Sequence, residues 1–261
     1  MPSQASKLVF ITGASSGIGQ ALAWRYHSAG WRLALAARRV EEIKKWIFPR
    51  GISEDSYKIY SVDVANPDSM IAAAKACLAS QGVPDVVIAC AGISVGVDTA
   101  DRGDIDMMAH TFMTNNVGTA ATFHAFLAAM QARRSGTLVG IGSVNGIRGF
   151  AGHGANCPSK AAMISYCECL RLELKNSGIQ VVTVCPGYVA TPLTRNNTAS
   201  MPFLLQPGEF AERAFKAIEA GASYRVIPWQ MGVVAKFLRL LPNWLFDRAF
   251  AGRARKPRRT Q

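Results

Sequence analysis

One short segment limits the folds open to this chain of 261 residues. Leu8-Val9-Phe10-Ile11-Thr12 is an apolar, β-branched run, and Gly13-Ala14-Ser15-Ser16-Gly17-Ile18-Gly19 follows it directly. The run reads as a strand buried on both faces. From about Ile18 to Ala29 the pattern is helical, and Gly30 ends it as a left-handed C-cap glycine would. Glycines in such a turn allow positive φ and let a phosphate approach the backbone. The following helix start supplies free N–H groups and a positive dipole end. A glycine triplet alone is weak evidence, because tight turns also need glycine. The flanking strand and helix make it a dinucleotide-binding signature, with Gly13, Ser15, Ser16, Gly17, Ile18 and Gly19 as the candidate residues.

The alternation continues along the chain. Strands are expected at Arg32–Ala37, Tyr57–Val62, Asp85–Cys90, Gly136–Ile141 and Ile179–Cys185. Helices are expected at Val40–Trp46, Pro67–Gln81 (closed by Gly82), in two stretches within Asp104–Arg134, and at Pro158–Asn176. Short apolar strands separated by helices require right-handed crossovers, so the fold class is α/β: a Rossmann-type doubly wound parallel sheet. No Pro/Gly/Ser linker divides the chain, and its length suits one domain. Residues 1–228 are expected to form the nucleotide-binding and catalytic body, and residues 229–261 an amphipathic, basic extension of it.

Composition excludes several classes. Hydrophobic residues make up 49% and charged residues 18%, which argues against disorder. The net charge of +12 is unevenly placed, since residues 236–261 hold eight of the 29 basic residues and one of the 17 acids. Such a tail suits an anionic surface or is a solvated terminus. Nothing elsewhere has the basic and aromatic groove expected for nucleic acid. The cysteines, Cys77, Cys90, Cys157, Cys167, Cys169 and Cys185, form no CxxC pair, and no metal site is expected. They read as reduced thiols of a cytoplasmic protein. No stretch is long enough to span a membrane.

Cofactor choice is read at the second strand's end, Leu35-Ala36-Ala37-Arg38-Arg39. NAD-binding folds usually place an acid there for the ribose hydroxyls. Arg38 and Arg39 instead favour a 2′-phosphate through charge-assisted bonds, and NADP(H) is expected. Two surface charges at a helix start are the plainer alternative.

From Leu8 to Pro192 the sequence resembles the classical short-chain dehydrogenase/reductase family. Thr-Gly-x-x-x-Gly-x-Gly at Thr12–Gly19 has that family's loop spacing. By this resemblance Asp63 and Val64 contact the adenine, Ala91-Gly92 ends the motif after the fourth strand, and Pro186-Gly187 and Thr191 cover the nicotinamide. Asn115, Ser143 and Lys160 match the catalytic Asn, Ser and Lys, and Lys160 also contacts the cofactor. The resemblance implies hydride transfer between a nicotinamide and a carbonyl or alcohol carbon. In the family a Tyr, one helical turn before the Lys, exchanges the proton.

Here that position, four residues before Lys160 and thirteen after Ser143, is Asn156. An amide can hydrogen-bond a carbonyl but cannot act as the acid. Three readings follow: a disabled reductase, an active enzyme with a substitute donor such as His153, or a nucleotide-binding pseudoenzyme. Tyr188 could reach the pocket only from another wall. Cys90 stands where the family usually has Asn and reads as a small apolar group.

The lid expected at Pro192–Pro207 offers Met201, Phe203, Leu204 and Leu205, which suit an apolar substrate or anchor the lid itself. Helices near Met107–Arg133 and Pro158–Asn176 resemble the family's dimer pair, with Cys167, Leu170 and Leu174 as a stripe, so a homodimer or tetramer is expected. Beyond Trp229, Val233, Val234, Phe237, Leu238 and Leu241 read as one helical face with Lys236 and Arg239 outside it. Pro242 breaks that helix, and Trp244, Leu245, Phe246 and Phe250 follow. Aromatics beside a cationic cluster suit a peripheral membrane contact; covering the protein's own pocket is the alternative. An interaction protein at a membrane surface is therefore a further class to weigh against the oxidoreductase.

Overall fold

A computed structural model describes residues 6–195, 197, 200–252 and 255–258. Seven strands form one parallel sheet: β1 (Leu8–Thr12), β2 (Arg32–Ala37), β3 (Tyr57–Ser61), β4 (Val86–Ala89), β5 (Gly136–Ile141), β6 (Ile179–Pro186) and β7 (Tyr224–Ile227). Their order is β3-β2-β1-β4-β5-β6-β7. The order reverses direction between β1 and β4, and ligands of such sheets bind in the crevice beyond the carboxyl ends there.

Nine helices flank the described sheet: α1 (Gly17–Ser28), α2 (Val40–Ile47), α3 (Pro67–Gln81), α4 (Arg102–Phe112), α5 (Gly118–Arg133), α6 (Asn156–Glu173), α7 (Pro207–Glu219), α8 (Trp229–Leu240) and α9 (Asn243–Phe250). Side chains alternate across each strand, so two cores result. Val9, Ile11, Leu33 and Leu35 pack with Leu22 and Tyr26 of α1, Ile43 of α2 and Phe210 of α7. Leu8 and Phe10 face the other way, with Met70 of α3, Phe123 and Phe126 of α5, and Met163 and Leu170 of α6. Both faces are covered, which is why these strands lack a polar alternation.

Most expected elements stand within two or three residues of their places. Two expectations need correction. First, α6 begins at Asn156, not Pro158, because proline is tolerated in the first turn, where its missing N–H has no partner to lose. Second, Cys167, Leu170 and Leu174 are buried in the chain's own core, so that stripe faces the sheet and not a partner. Of the face read beyond Trp229, Val233, Val234 and Phe237 are exposed, while α8 packs through Met231, Gly232 and Ala235. The small residues let α8 lie close on β7: a Cβ at Gly232 would stand 3.1 Å from the Val226 side chain. Pro242 ends α8 and also opens α9 as its N-cap residue.

The reading missed α7 and β7. Pro207 opens α7, the Glu209 carboxylate accepts from the Gln206 N–H at 3.1 Å, and Phe210, Ala211, Ala214, Ala217 and Ile218 form its buried face. That start signal was legible.

One side chain fixes the switch point. The Thr12 hydroxyl accepts from the N–H groups of Cys90 and Ala91 at 3.1 and 3.2 Å and donates to the Ile88 carbonyl at 3.4 Å. Thr12 is 1% exposed. Thr12→Val keeps the shape but strips two sequestered N–H groups of their acceptor, which costs about 1–3 kcal/mol. Urea unfolding should show a lower midpoint at unchanged slope.

Candidate functional site

The loops after β1, β3, β4, β5 and β6 converge at the carboxyl edge of the sheet. The glycine loop lies at its centre. Gly13 and Gly17 have φ of +72° and +59°, and a Cβ on Gly13 would stand 2.9 Å from the Ala91 backbone. A Cβ on Gly19 would stand 2.3 Å from the Gly13 carbonyl oxygen. Backbone shape therefore demands glycine at these positions. Ser16 is the N-cap residue of α1 yet its side chain makes no capping bond, so the first N–H groups stay available to an anion. The Trp46 indole N–H holds the loop by donating to the Ala14 carbonyl at 3.1 Å. Opposite Gly17, a Cβ would stand 3.3 Å from the Thr191 side chain, so the loop after β6 closes one wall. The Gly187 N–H ties that loop to β7 by donating to Ile227 at 2.8 Å. The cradle has the free N–H groups, the positive helix end and the close backbone approach that a pyrophosphate needs.

Arg38 and Arg39 follow β2 and are exposed. A guanidinium nitrogen of Arg39 lies 3.5 Å from the Ser15 hydroxyl. Arg38 stands 4.0 Å from Asp63, whose other oxygen accepts from the Ala65 N–H at 3.1 Å. Val64 is buried against the start of α5: a Cβ on Gly118 would stand 2.9 Å from the Val64 carbonyl oxygen.

The remaining candidates meet around a buried amide. A π-helical turn, Met113–Val117, interrupts the path from α4 to α5 and carries Asn115. Such widened turns recur at functional sites. The Asn115 side chain accepts from the Ile93 N–H at 2.9 Å and donates to the Ile93 carbonyl at 3.0 Å and to the Ser159 hydroxyl at 3.0 Å. Ser159 in turn donates to the Asn156 carbonyl at 2.9 Å. This chain of bonds joins the loop after β4 to the first turn of α6. Sequence reading found Asn115 and Asn156 but missed Ser159, which has no local signal.

Lys160 lies one turn beyond Asn156 on α6, and its ammonium donates to the Ile141 carbonyl at 2.9 Å. A Cβ on Gly92 would stand 3.6 Å from that nitrogen. Burial holds the Lys160 pKa below the usual lysine range, with the thiols of Cys90, Cys185 and Cys167 opposing weakly. Ser143 ends the strand side of the site and accepts from the Asn145 N–H at 3.1 Å. The turn it starts lies on α6: a Cβ on Gly146 would stand 2.9 Å from the Ala161 nitrogen.

Three secondary candidates resolve on their surroundings. Burial pushes the Cys90 thiol up to about 12, so it is neutral and unreactive near pH 7. Burial, and then the charge of Lys256, bring His153 down to about 4, so its ring is neutral at physiological pH and not a cationic acid. Leu205 is buried in the first core, whereas Phe203 and Leu204 are exposed and Met201 is half-buried. Of the expected lid, residues 196, 198 and 199 lie outside the described residues.

The C-terminal tail returns to this edge, which the sequence did not suggest. Arg255 pairs with Asp98, and Arg258 pairs with Asp101 and, at 2.8 Å, with Asp104. Arg253 and Arg259, counted in the basic tail, lie outside the described residues. No described helix is long and apolar enough to cross a membrane, and all six cysteines are free.

Known proteins are similar to this chain in sequence and fold. A sequence model of short chain dehydrogenases matches residues 7–202. An uncharacterized oxidoreductase of Myxococcus xanthus is 34% identical over 249 residues, covering 95% of this chain and 98% of its own length. A short-chain dehydrogenase from Streptomyces avermitilis superposes with a TM-score of 0.80 at 25% identity, covering 89% of this chain and 92% of its own. A variant of actinorhodin polyketide ketoreductase, solved with NADPH, gives a TM-score of 0.77 at 28% identity, covering 87% and 97%. The glycine cradle at the β1–β4 switch point and the matched sequence lead to one conclusion: this chain belongs to the short-chain dehydrogenase family, a family of oxidoreductases.

Proposed function

We propose that the chain is an NADP(H)-dependent oxidoreductase acting on a carbonyl or alcohol, with proton delivery impaired at Asn156. The observation that carries this reading is the bonded series Ile93–Asn115–Ser159–Asn156, with Lys160 one turn on and the glycine cradle alongside. A nicotinamide dinucleotide, when bound, supplies or accepts the hydride. Gly13–Gly19 and the N-terminus of α1 would hold its pyrophosphate, with Asp63, Val64, Ala91, Gly92, Pro186, Gly187 and Thr191 along its length. Arg38 and Arg39 would take a 2′-phosphate, and the ketoreductase neighbour solved with NADPH supports that choice. Ser143 would hold the substrate oxygen by its hydroxyl.

Lys160 would orient the nicotinamide ribose and keep a positive charge near the reacting oxygen. In a family enzyme that charge lowers the pKa of a phenol from about 10 toward neutrality. Asn156 has no proton to give, so the remaining rate rests on hydride geometry and on the hydrogen bonds of Ser143. The neutral ring of His153 gives little support to a substitute donor there. A pseudoenzyme that binds the nucleotide is the second reading, and the same amide favours it.

The described part of residues 229–252 supports a peripheral membrane contact. Trp229, Val233, Phe237, Leu240 and Trp244 are 68%, 58%, 63%, 83% and 69% exposed. Lys236, Arg239 and Arg248 are also exposed, and Asp247 is the segment's single acid. The contact we propose is thus the outer face of α8 and α9, since Arg255 and Arg258 are taken by acids of the body. A cytoplasmic location at an anionic leaflet follows from that reading. The groove lined by Asn116, Val117, Ala120, Ala162, Met163 and Tyr166 leaves a separate face for a homodimer or tetramer.

Three measurements test these proposals. NADPH should bind more tightly than NADH, and Arg38→Ala with Arg39→Ala should remove roughly 10–100-fold of that preference, the worth of one charged hydrogen bond or a little more. Equal affinities in the unaltered chain would refute the cofactor assignment. Asn156→Tyr should raise carbonyl reduction roughly 100-fold or more while NADPH affinity stays level. If NADPH binds and a broad ketone panel yields no turnover in that variant, the pseudoenzyme reading prevails. Vesicles containing phosphatidylserine should sediment the full chain, and each cation near the surface is worth about 1 kcal/mol. Lys236→Gln with Arg239→Gln should then weaken binding roughly 30-fold. Binding that ignores these changes, and Phe237→Glu as well, would exclude this face.

A further inference from the structure

The tail's second cation has a different setting from its two arginines. The strap 255–258 lies between the loop after β4 and the turn before α6. Gly96 donates its N–H to the Pro257 carbonyl at 3.1 Å and forms a parallel bridge with Arg258. A Cβ on Gly96 would stand 2.2 Å from the Lys256 carbonyl oxygen, and one on Gly152 would stand 2.8 Å from the Lys256 nitrogen. Gly96 does not have a left-handed φ; what requires glycine there is the room the strap occupies. The body is thus shaped to receive the strap, and Asp98, Asp101 and Asp104 fasten its two arginines.

Lys256 points the other way. Its ammonium donates to the Ser94 hydroxyl. Among the described residues no carboxylate lies within ion-pair distance of it. Burial holds its pKa below the usual lysine range, with only the Cys157 thiol opposing. Beside it stands His153, whose Nδ1 is buried without a hydrogen-bond partner. A half-buried cation without a counter-ion is costly unless something supplies the charge.

The position matters as much as the chemistry. Ser94 directly follows Ile93, which clasps Asn115. The His153 carbonyl accepts from the Cys157 N–H at 2.9 Å, so His153 starts the turn that carries Asn156. Lys256 therefore stands at the rim of the candidate active site, beside residues that abut its two sides.

We propose that Lys256, with the Ser94 hydroxyl and the His153 ring, forms a subsite for a carboxylate carried by the substrate, and that the arginine–aspartate latch holds this subsite in place. The inference rests on the oxidoreductase reading above and names its substrate class: an oxo or hydroxy acid with an apolar body. Exposed Phe203 and Leu204 on the loop after β6 suit an apolar body, and the carboxylate would neutralise Lys256. Ser94 and the neutral imidazole supply hydrogen bonds without adding charge.

The test compares octanoate with octanamide, which differ in charge but little in size, by calorimetry on the full chain with and without NADPH. Octanoate should bind at least about 10-fold more tightly, in line with a charged hydrogen bond. Lys256→Met should abolish the difference and Lys256→Arg should keep most of it, while NADPH affinity is unchanged in both. Asp101→Asn with Asp104→Asn leaves Lys256 intact and loosens the strap, and should weaken octanoate alone. Equal affinity for the two probes, or a preference that survives Lys256→Met, would overturn the subsite. Unchanged octanoate affinity in the aspartate variant would overturn the latch. If NADPH fails to bind while the Lys256-dependent preference holds, the oxidoreductase reading fails and the subsite stands.

Discussion

The junction of β1 and β4 is the constraint on which the rest of the molecule depends. The sheet order reverses there, so the crossovers on either side leave by opposite faces and their loops part. The parting makes the crevice, but it also leaves the end of β4 short of backbone partners. Thr12 supplies them with one hydroxyl, accepting two N–H groups and donating one bond. The same residue opens the glycine loop. Strand pairing and the anion cradle are therefore one local structure.

The second layer is a bonded series in which two side chains, Asn115 and Ser159, link the backbone of Ile93 to that of Asn156. Asn115 could not reach Ile93 and Ser159 together from an ordinary exposed helix position. The π-helical turn at Met113–Val117 carries it inward, where it is 2% exposed. A buried amide with donors and acceptors all engaged fixes the relative position of two elements, since breaking any one bond strands a polar group. The first turn of α6, with Asn156 and with Lys160 one turn on, is held in this way against the loop after β4. This is why the candidate site can be rigid although it is assembled from loops.

Besides Lys256, the described charge at the C-terminus divides into two populations with different surroundings. Arg255 and Arg258 face acids of the body. Lys236, Arg239 and Arg248 face solvent beside large apolar side chains. Composition counts all of them alike. Only their partners separate a latch from a surface, because the worth of an ion depends on what neutralises it and how far water is excluded.

The sequence by itself determined six of the sheet's seven strands and the glycine loop. Both rest on local terms: strands such as Leu8–Thr12 and Arg32–Ala37 are apolar without alternation because both faces are covered, and Gly13, Gly17 and Gly19 are set by backbone geometry within a few residues. The place of Asn156 was legible too, one helical turn before Lys160 on the same helix. Other features depend on distant residues and left no local mark. The basic tail read as suited to an anionic surface or as solvated, because Asp98, Asp101 and Asp104 precede it by more than 150 residues. Cys167, Leu170 and Leu174 have helical spacing, but spacing cannot tell the chain's own sheet from a partner. Which stripe of α8 is buried was open for a related reason: helical periodicity defines a stripe, and its burial depends on close approach, here of Gly232 to Val226. Tertiary structure decided these points because each is a competition between surfaces that meet only after the chain has folded.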